Sequence, residues 1–447
     1  MADAESLPLE NAALAIAGGR IAALGPRPEI DRHWRAAQVL DAGGAIALPG
    51  LVNVHNHTPL VIVRGIVEDL GWAPAYTPSI PQGYRLSPDD AYALSCLGAW
   101  ELLRSGSTTI ADHYVHADRL MQAADLVGLR AFTGGWVIDV DMPKVAEGRW
   151  EHRQTIAERT LERALAFNER WQGRSPRLTP ILVPHAPDTC SRDLLERVAG
   201  IAADQGLQVH IHLAQSPLEV KRIREREGMT PPALLGETGL LDCHTVAAHC
   251  IHLQDEDIAL AGSKGLRVAH SPLGNASAGW IAPVQRLEAA GARIGLCTDA
   301  KSSDLLEAMR MAIAGGRILG GGLEISAASV FGWATAGGAE ILGLAGEVGA
   351  LRVGMRADIV LLDGSAANLR PLVRPLGSVV HNGTGANVRH AIVDGEVVMR
   401  DFRPTRFDPD ALIEEVEGVA RRLWRDCGFA VPMSSTVRYP LEDCFPA

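Results

Sequence analysis

The sequence lacks the features that would direct it to a membrane, a nucleic acid or a disulfide-stapled scaffold. No apolar run approaches the ~18 residues that suggest a spanning helix. The opening MADAESLPLE has no basic region followed by an apolar one, so no secretory leader is expected and the protein reads as cytoplasmic. Basic residues are in deficit: 42 Lys and Arg against 53 Asp and Glu leave a formal charge of −11. That balance speaks against a nucleic-acid backbone or an anionic membrane surface as partner and favours a small neutral or cationic molecule. The seven cysteines, Cys96, Cys190, Cys243, Cys250, Cys297, Cys427 and Cys444, are an odd and dispersed set without a C-x-x-C pair. Neither a disulfide framework nor a structural zinc knot is indicated.

What is present is globular. Of 447 residues, 47% are apolar and 21% charged, and a chain this long suits a large barrel with an accessory domain better than one ordinary core. AALAIAGGRIAALG gives two short strands around Gly18-Gly19, a hairpin signal. A similar texture returns near the end, in LRVGMRADIVLLDG and in VRHAIVDGEVVMRD with its Asp394-Gly395 turn. Residues 1–49 and 351–447 are therefore expected to form one small β-sandwich domain from both ends of the chain. Between them, residues 50–350 alternate strands with amphipathic helices. One helix is predicted to start at Ser87-Pro88 and stop at Gly106, another to run from Ser191 to Gly206. Repeated β-then-α units over roughly 300 residues favour the α/β class and a parallel (β/α)₈ barrel.

Most of the apolar strand runs end in His or Asp: His55 and His57, His113, His185, His212, His249, His270 and Asp299. In such a barrel the C-terminal strand ends open onto the active site. Alternation sharpens the pattern, because residues two apart share a face of a strand. In LQVHIHL, Val209, Ile211 and Leu213 face the helices while His210 and His212 face the lumen. In LVNVHNH the same rule turns Val52 and Val54 outward and His55 and His57 inward, and in RIGLCTD it groups Gly295, Cys297 and Asp299. Neutral imidazoles with one carboxylate suit a borderline cation, zinc first and iron(II) second. Such an ion would lower the pKa of a water for attack. A single histidine of this kind is more often a satisfied core residue; it is the joint pattern that argues for a metal.

At this point the chain resembles the amidohydrolase superfamily, in the branch of cytosine-, guanine- and S-adenosylhomocysteine-deaminase-like enzymes that also holds triazine hydrolases. The resemblance rests on LPGLVNVHNHTPLVIVRG at 48–65, VPHAPDTCS from Val183, HIHLAQ from His210, AHCIH from Ala248, HSPLGN from His270, IAPVQR from Ile281, LCTDA from Leu296 and the closing LRVGMRADIVLLD. It implies one divalent metal ion held by His55, His57, His212 and Asp299. It implies that His249 assists the water or a substrate carbonyl and that Asp299 also shuttles a proton. It sets His185, His113 and Arg64 as substrate-side or loop-supporting residues, and homodimers are common in the family, although nothing in this sequence marks an interface.

Two departures stand out. Relatives of the deaminase type carry Glu three residues after the third metal histidine; here Gln215 stands there, an amide that can hydrogen-bond but cannot relay a proton. Glu219, one helical turn on, is expected to be too distant. The N-terminus is also short and expected to lack the family's first strand. Trp136 and Trp280 follow strands and could stack on a flat ring, with packing as the alternative. Trp72 and Tyr76 could close the site from the first loop. Lys301 and Asp304, His116 and His252, and Cys297 are expected in supporting, surface or packing roles, and KRIRERE near Lys221 as a solvated helix face. The expected function is a metal-dependent aminohydrolase acting on a small nitrogen heterocycle: a purine, pterin, pyrimidine or s-triazine. The alternatives are displacement of chloride or an alkylamine from a triazine, hydrolysis of an imine or amide, and a non-catalytic binding protein on the same barrel.

Overall fold

The computed structural model describes residues 1–66, 74–77, 80–300, 302–320 and 322–427. Trp72, Lys301 and Cys444 lie outside the described residues. The centre of the molecule is a parallel α/β barrel. Its strands, in chain order, are β1 (Leu51–Asn56), β2 (Ser107–Tyr114), β3 (Arg130–Val137), β4 (Leu178–Pro180 continued by Val183–Pro184), β5 (Val209–Leu213), β6 (Thr245–His249), β7 (Arg267–His270) and β8 (Arg293–Leu296). Strand β4 is broken in two by prolines, which contribute no N–H to a ladder.

Continuous pairing runs through two arcs, β1-β2-β3-β4 and β5-β6-β7-β8. Single bridges join the arcs at both seams, Leu182 to Val209 and Asn56 to Asp299. Across the second seam the Asp299 N–H donates to His55 O at 3.0 Å. This contact sets the aspartate beside the first two histidines.

The helices form where their caps require. Pro88–Arg104 opens on a Ser87 capping box with Asp90 and ends before Gly106, whose φ of 97° suits only glycine comfortably. Arg192–Gln205 is capped by Ser191 and closed by Gly206 at φ 64°. Gly98 lets the first of these helices press against the turn after β1, since a Cβ there would lie 2.5 Å from Thr58 O.

Both chain ends contribute to a second, antiparallel layer. Ile46–Pro49 pairs with Ile359–Leu362, and Val388–Val393, Glu396–Arg400 and Arg403–Pro404 complete a five-stranded sheet. The hairpin Ala12–Ala17 and Arg20–Pro26 turns at Gly18 and Gly19, both with positive φ, as the sequence suggests. It lies against that sheet through Ile21, Leu351, Ile359 and Ile392, so the N-terminal part does supply strands. The segment after 351 is not all small-domain, however. The helix Pro409–Asp426 buries Leu412, Val416, Leu423 and Trp424 against the barrel side, where Trp424 Nε1 donates to Ile62 O at 2.8 Å and Arg422 pairs with Asp90. Its amphipathic pattern is legible in the sequence; its docking on a distant helix is not.

The two layers are joined by a buried ion pair. Arg130 donates from Nε and Nη2 to both Asp358 oxygens at 3.1 Å, with side chains only 3% and 1% exposed. Removing Asp358 leaves the buried Arg130 charge with only a longer contact to Asp394 Oδ1 at 3.6 Å and a carbonyl, Pro176 O, in a low-dielectric site. Asp358→Ala is expected to cost about 3–5 kcal/mol, read as a lowered midpoint in urea unfolding, whereas an exposed pair such as Lys221–Glu225 should contribute little.

Candidate metal centre and pocket

Histidine geometry at the barrel mouth follows from the backbone at each strand end. The β1–β2 register shifts between Asn53 and Asn56. This bulge alters the simple alternation expected of LVNVHNH: Val54 turns inward and lies 3.1 Å from the position a Gly295 Cβ would take. Gly295 is in register with Ala269, Ala248 and the lumen-facing His212, so that side is the interior. His55 and His57 nonetheless reach the centre, because the extra residue re-aims them. His249 and Asp299 also depart from strand geometry, with φ of 74° and 58°. Each bends a side chain at the strand end into the mouth.

The imidazole nitrogens then converge. His57 Nε2 lies 3.2 Å from His212 Nε2. Asp299 Oδ1 is 3.5 Å from His57 Nε2 and 3.7 Å from His55 Nε2. His55, His57 and Asp299, and separately His55, His212 and His249, each offer ligand atoms within 4.8 Å of one another.

Hydrogen bonds on the far side of each ring decide which nitrogen is free. His57 Nδ1 contacts His113 O at 2.6 Å, and His212 Nδ1 contacts His185 O at 2.7 Å. A carbonyl only accepts, so both rings carry the proton on Nδ1 and turn a lone pair on Nε2 to the centre. His249 Nδ1 contacts Asn275 Oδ1 at 3.0 Å, leaving its Nε2 free in the same way. His55 is held from behind by His210 Nε2 at 2.9 Å and His113 Nε2 at 3.1 Å, while its own Nε2 is buried with no partner. An orphaned imidazole nitrogen aimed at three others is the donor set a tetrahedral or five-coordinate cation takes.

Electrostatics agree. Burial, then repulsion between neighbouring imidazoles, hold His55, His113 and His212 well below the ordinary histidine range. Burial also lowers His57, against the pull of Asp299, and takes His185, His210 and His270 down to about 3. The cluster is therefore neutral at physiological pH, the form that binds metal.

Above this floor lies a cavity of about 250 Å³, walled by Leu60, Tyr76, Tyr114, Trp136, His185, Gln215, Ile251, Asn275 and Trp280, with His57, His212, His249 and Asp299 at its base. His185 and Trp136 are brought together, ring centroids 4.3 Å apart. Trp280 is 45% exposed at the rim, edge-on to His252.

Two of the expected substrate-side residues are elsewhere. His113 is fully buried behind His55, where its ring Nε2 meets His55 Nδ1 instead of lining the cavity. Arg64 points away from the main cavity and pairs with Glu101. Glu219 does not reach the cavity either; its carboxylate accepts from the Ala214 and Gln215 N–H groups at 2.8 and 2.9 Å. His116 bonds to Leu86 O, Asp304 accepts from the Gly385 N–H, and Cys297 packs in the buried cluster. KRIRERE is not wholly solvated, since Arg222 stacks 3.3 Å over the Trp150 ring.

Sequence reasoning did not single out Asn275, Tyr114 or Asp188, although Asn275 and Asp188 sit inside the quoted segments HSPLGN and VPHAPDTCS. A signal existed for both: a polar side chain within a few residues of a strand-end histidine, Asp188 after His185 and Asn275 after His270.

A parallel barrel with a neutral histidine cluster and one aspartate at the C-terminal mouth defines the class of metal-dependent hydrolases. The sequence profile described as "Amidohydrolase family" matches residues 46–398, and the chain belongs to that family. It is 37% identical over 418 residues to a 5-methylthioadenosine/S-adenosylhomocysteine deaminase of Desulforudis audaxviator, covering 92% of this chain and 94% of the relative. A 5′-deoxyadenosine deaminase of Methanosarcina mazei is 32% identical, with coverage of 94% and 95%. Among solved structures, an adenosine deaminase of Xanthomonas campestris with bound zinc superposes with a TM-score of 0.84 at 25% identity, over 93% and 94% of the two chains. The atrazine chlorohydrolase of Arthrobacter aurescens shares the fold, with a TM-score of 0.80 at 23% identity over 92% and 96%. The protein is a hydrolase of C–N bonds, a metal-dependent aminohydrolase of a nitrogen heterocycle. No helix among the described residues is long and apolar enough to cross a membrane.

Two outcomes follow from the cluster. His210→Phe removes an imidazole behind His55 and is expected to weaken metal binding about 10–100-fold, measured by competition with a chromogenic chelator. The buried histidines stay neutral in the fold but titrate near 6.5 when unfolded. Below that pH the unfolded chain binds more protons, so stability of the metal-free protein should fall as pH drops from about 6.5 toward 3. Urea midpoints across that range check the sign.

Proposed function

We propose that the protein deaminates the purine ring of an adenosine altered at its 5′ position, with zinc as the resident metal and in the cytoplasm. The observation that carries this reading is the approach of His57 Nε2 and His212 Nε2 to 3.2 Å, beside Asp299 and the unpartnered His55 Nε2, on the floor of a largely apolar cavity. The substrate class is supported by the deaminase relatives at 37% and 32% identity. A neutral nucleoside also suits a chain of net charge −11. The six described cysteines are all free, in keeping with a reducing compartment.

In this reading His55, His57, His212 and Asp299 hold the ion. Bound there, a divalent cation supplies Lewis acidity, which acidifies water for attack on the ring carbon that bears the amino group. Asp299 takes a proton from the attacking water and passes it to the departing amine. His249, held through Nδ1 by Asn275, turns the Nε2 lone pair toward that water and orients it. Trp136 and Leu60 exclude solvent from the ring, and His185 offers an imidazole nitrogen to its edge. Gln215 has no acidic proton to give, which keeps a second reading in view: hydrolytic displacement of chloride or an alkylamine from a triazine.

One assay separates them. Ammonia release should be seen with 5′-methylthioadenosine, S-adenosylhomocysteine or 5′-deoxyadenosine, should vanish on chelation and should return with zinc. Chloride or amine release from a triazine panel, without ammonia from the nucleosides, would overturn the proposal, and iron(II) outperforming zinc would overturn the metal assignment. Asp299→Asn is expected to lower kcat by about 10²–10⁴-fold.

A further inference from the structure

A polar cluster borders the cavity beside Gln215. Tyr76 lines the cavity, and its hydroxyl oxygen lies 3.2 Å from Gln215 Nε2 and 3.2 Å from Asp188 Oδ1. The ring is held by stacking on Trp150, centroids 6.4 Å apart and 24° from parallel, and Trp150 is in turn covered by Arg222. Asp188 does not line the cavity; it is buried behind Tyr76.

Resting on the deaminase reading, we propose that Tyr76, backed by Asp188 and oriented by Gln215, donates the proton that the ring nitrogen gains during deamination. Hydrogen-bond capacity decides where the Tyr76 proton points. A phenol has one O–H to give and two lone pairs to receive. Gln215 Nε2–H fills one lone pair. When Asp188 is protonated its O–H fills the second, and the Tyr76 proton is free to point into the cavity. When Asp188 is ionised it captures that proton, and the cavity is offered none.

Burial, with the neighbouring carboxyl groups of Asp188 and Glu219, holds the Tyr76 phenol well above its ordinary range, so it yields its proton only as Asp188 supplies another. Burial raises Asp188 to about 6, against the hydrogen bond from Tyr76 and the charges of Arg222 and Arg226. The other groups facing it are Glu219, itself pushed well above the ordinary carboxyl range by burial, and Cys190.

The step balances. The Tyr76 O–H bond breaks as the ring N–H bond forms, and the Asp188 O–H proton moves to the Tyr76 oxygen. The first proton of the attacking water goes through Asp299 to the amine, and the C–N bond breaks as ammonia leaves. The second water proton is released to solvent through Asp299, and Asp188 regains one from solvent. The sum is substrate plus water to oxo product plus ammonia.

The test measures ammonia release from 5′-methylthioadenosine by the zinc-loaded protein and its variants across pH. Tyr76→Phe should lower kcat by about 100-fold or more, with KM changed by less than about threefold. The wild-type rate should fall as Asp188 ionises, above an apparent pKa of about 6. Asp188→Asn, whose amide N–H fills the Tyr76 lone pair at any pH but cannot pass on a proton, should remove that limb and leave a lowered, pH-independent rate. Adding Gln215→Glu to Tyr76→Phe should recover activity, since a carboxylic acid at 215 can itself donate. If Tyr76→Phe retains the rate, if Asp188→Asn keeps the limb, or if Gln215→Glu gives no rescue, the assignment is overturned and the deaminase reading stands. If the wild-type protein releases no ammonia from any nucleoside, both fail.

Discussion

The structure depends on keeping a cluster of imidazoles uncharged while bringing them within contact of each other. His55, His57, His113, His185, His210 and His212 lie in the barrel mouth, all buried. Charged, they would repel one another in a medium that screens poorly. Neutral, each must still satisfy a ring N–H. The fold answers with carbonyls: His113 O for His57, His185 O for His212, and the side chain of Asn275 for His249. The neighbours' backbone therefore fixes each tautomer, and the tautomer fixes which lone pair is left for a cation. Support is shared as well, since His113 lends its carbonyl to His57 and its ring to His55.

That economy explains what could be read from the sequence. Residues ending strands are legible because strand, turn and helix signals locate the ends. His55, His57, His212, His249 and Asp299 follow from that rule, and the structure brings them together. The alternation rule held in β5, where Val209, Ile211 and Leu213 pack outward in the core and His210 and His212 face in. It failed in β1, because a one-residue bulge is set by pairing with β2 and leaves no trace in hydropathy. The same limit applies to His113 and Arg64. Composition and position could not say that the first would lie behind a ligand and the second would find Glu101 on the next helix. Docking of the last helix on the barrel was hidden for a related reason: an amphipathic face announces that it will be buried, not against what.

Gln215 shows how a single substitution redistributes work. With an amide at this position, the acidity falls to other groups: Tyr76, with Asp188 behind it and Trp150 and Arg222 as a stacked backing. These come from the first loop, from the loop after β3, from the loop after β4 and from the helix Pro217–Glu227, four segments joined only by the folded barrel.

The contact between Trp424 and Ile62 joins residues 362 apart in the chain. Ile62 belongs to the short turn that begins one residue after His57, and that turn is clamped from its other side by Asp112 through the Thr58 N–H and hydroxyl. A chain shortened ahead of Trp424 would keep the four proposed ligand residues yet lose the brace on the turn that follows His55 and His57.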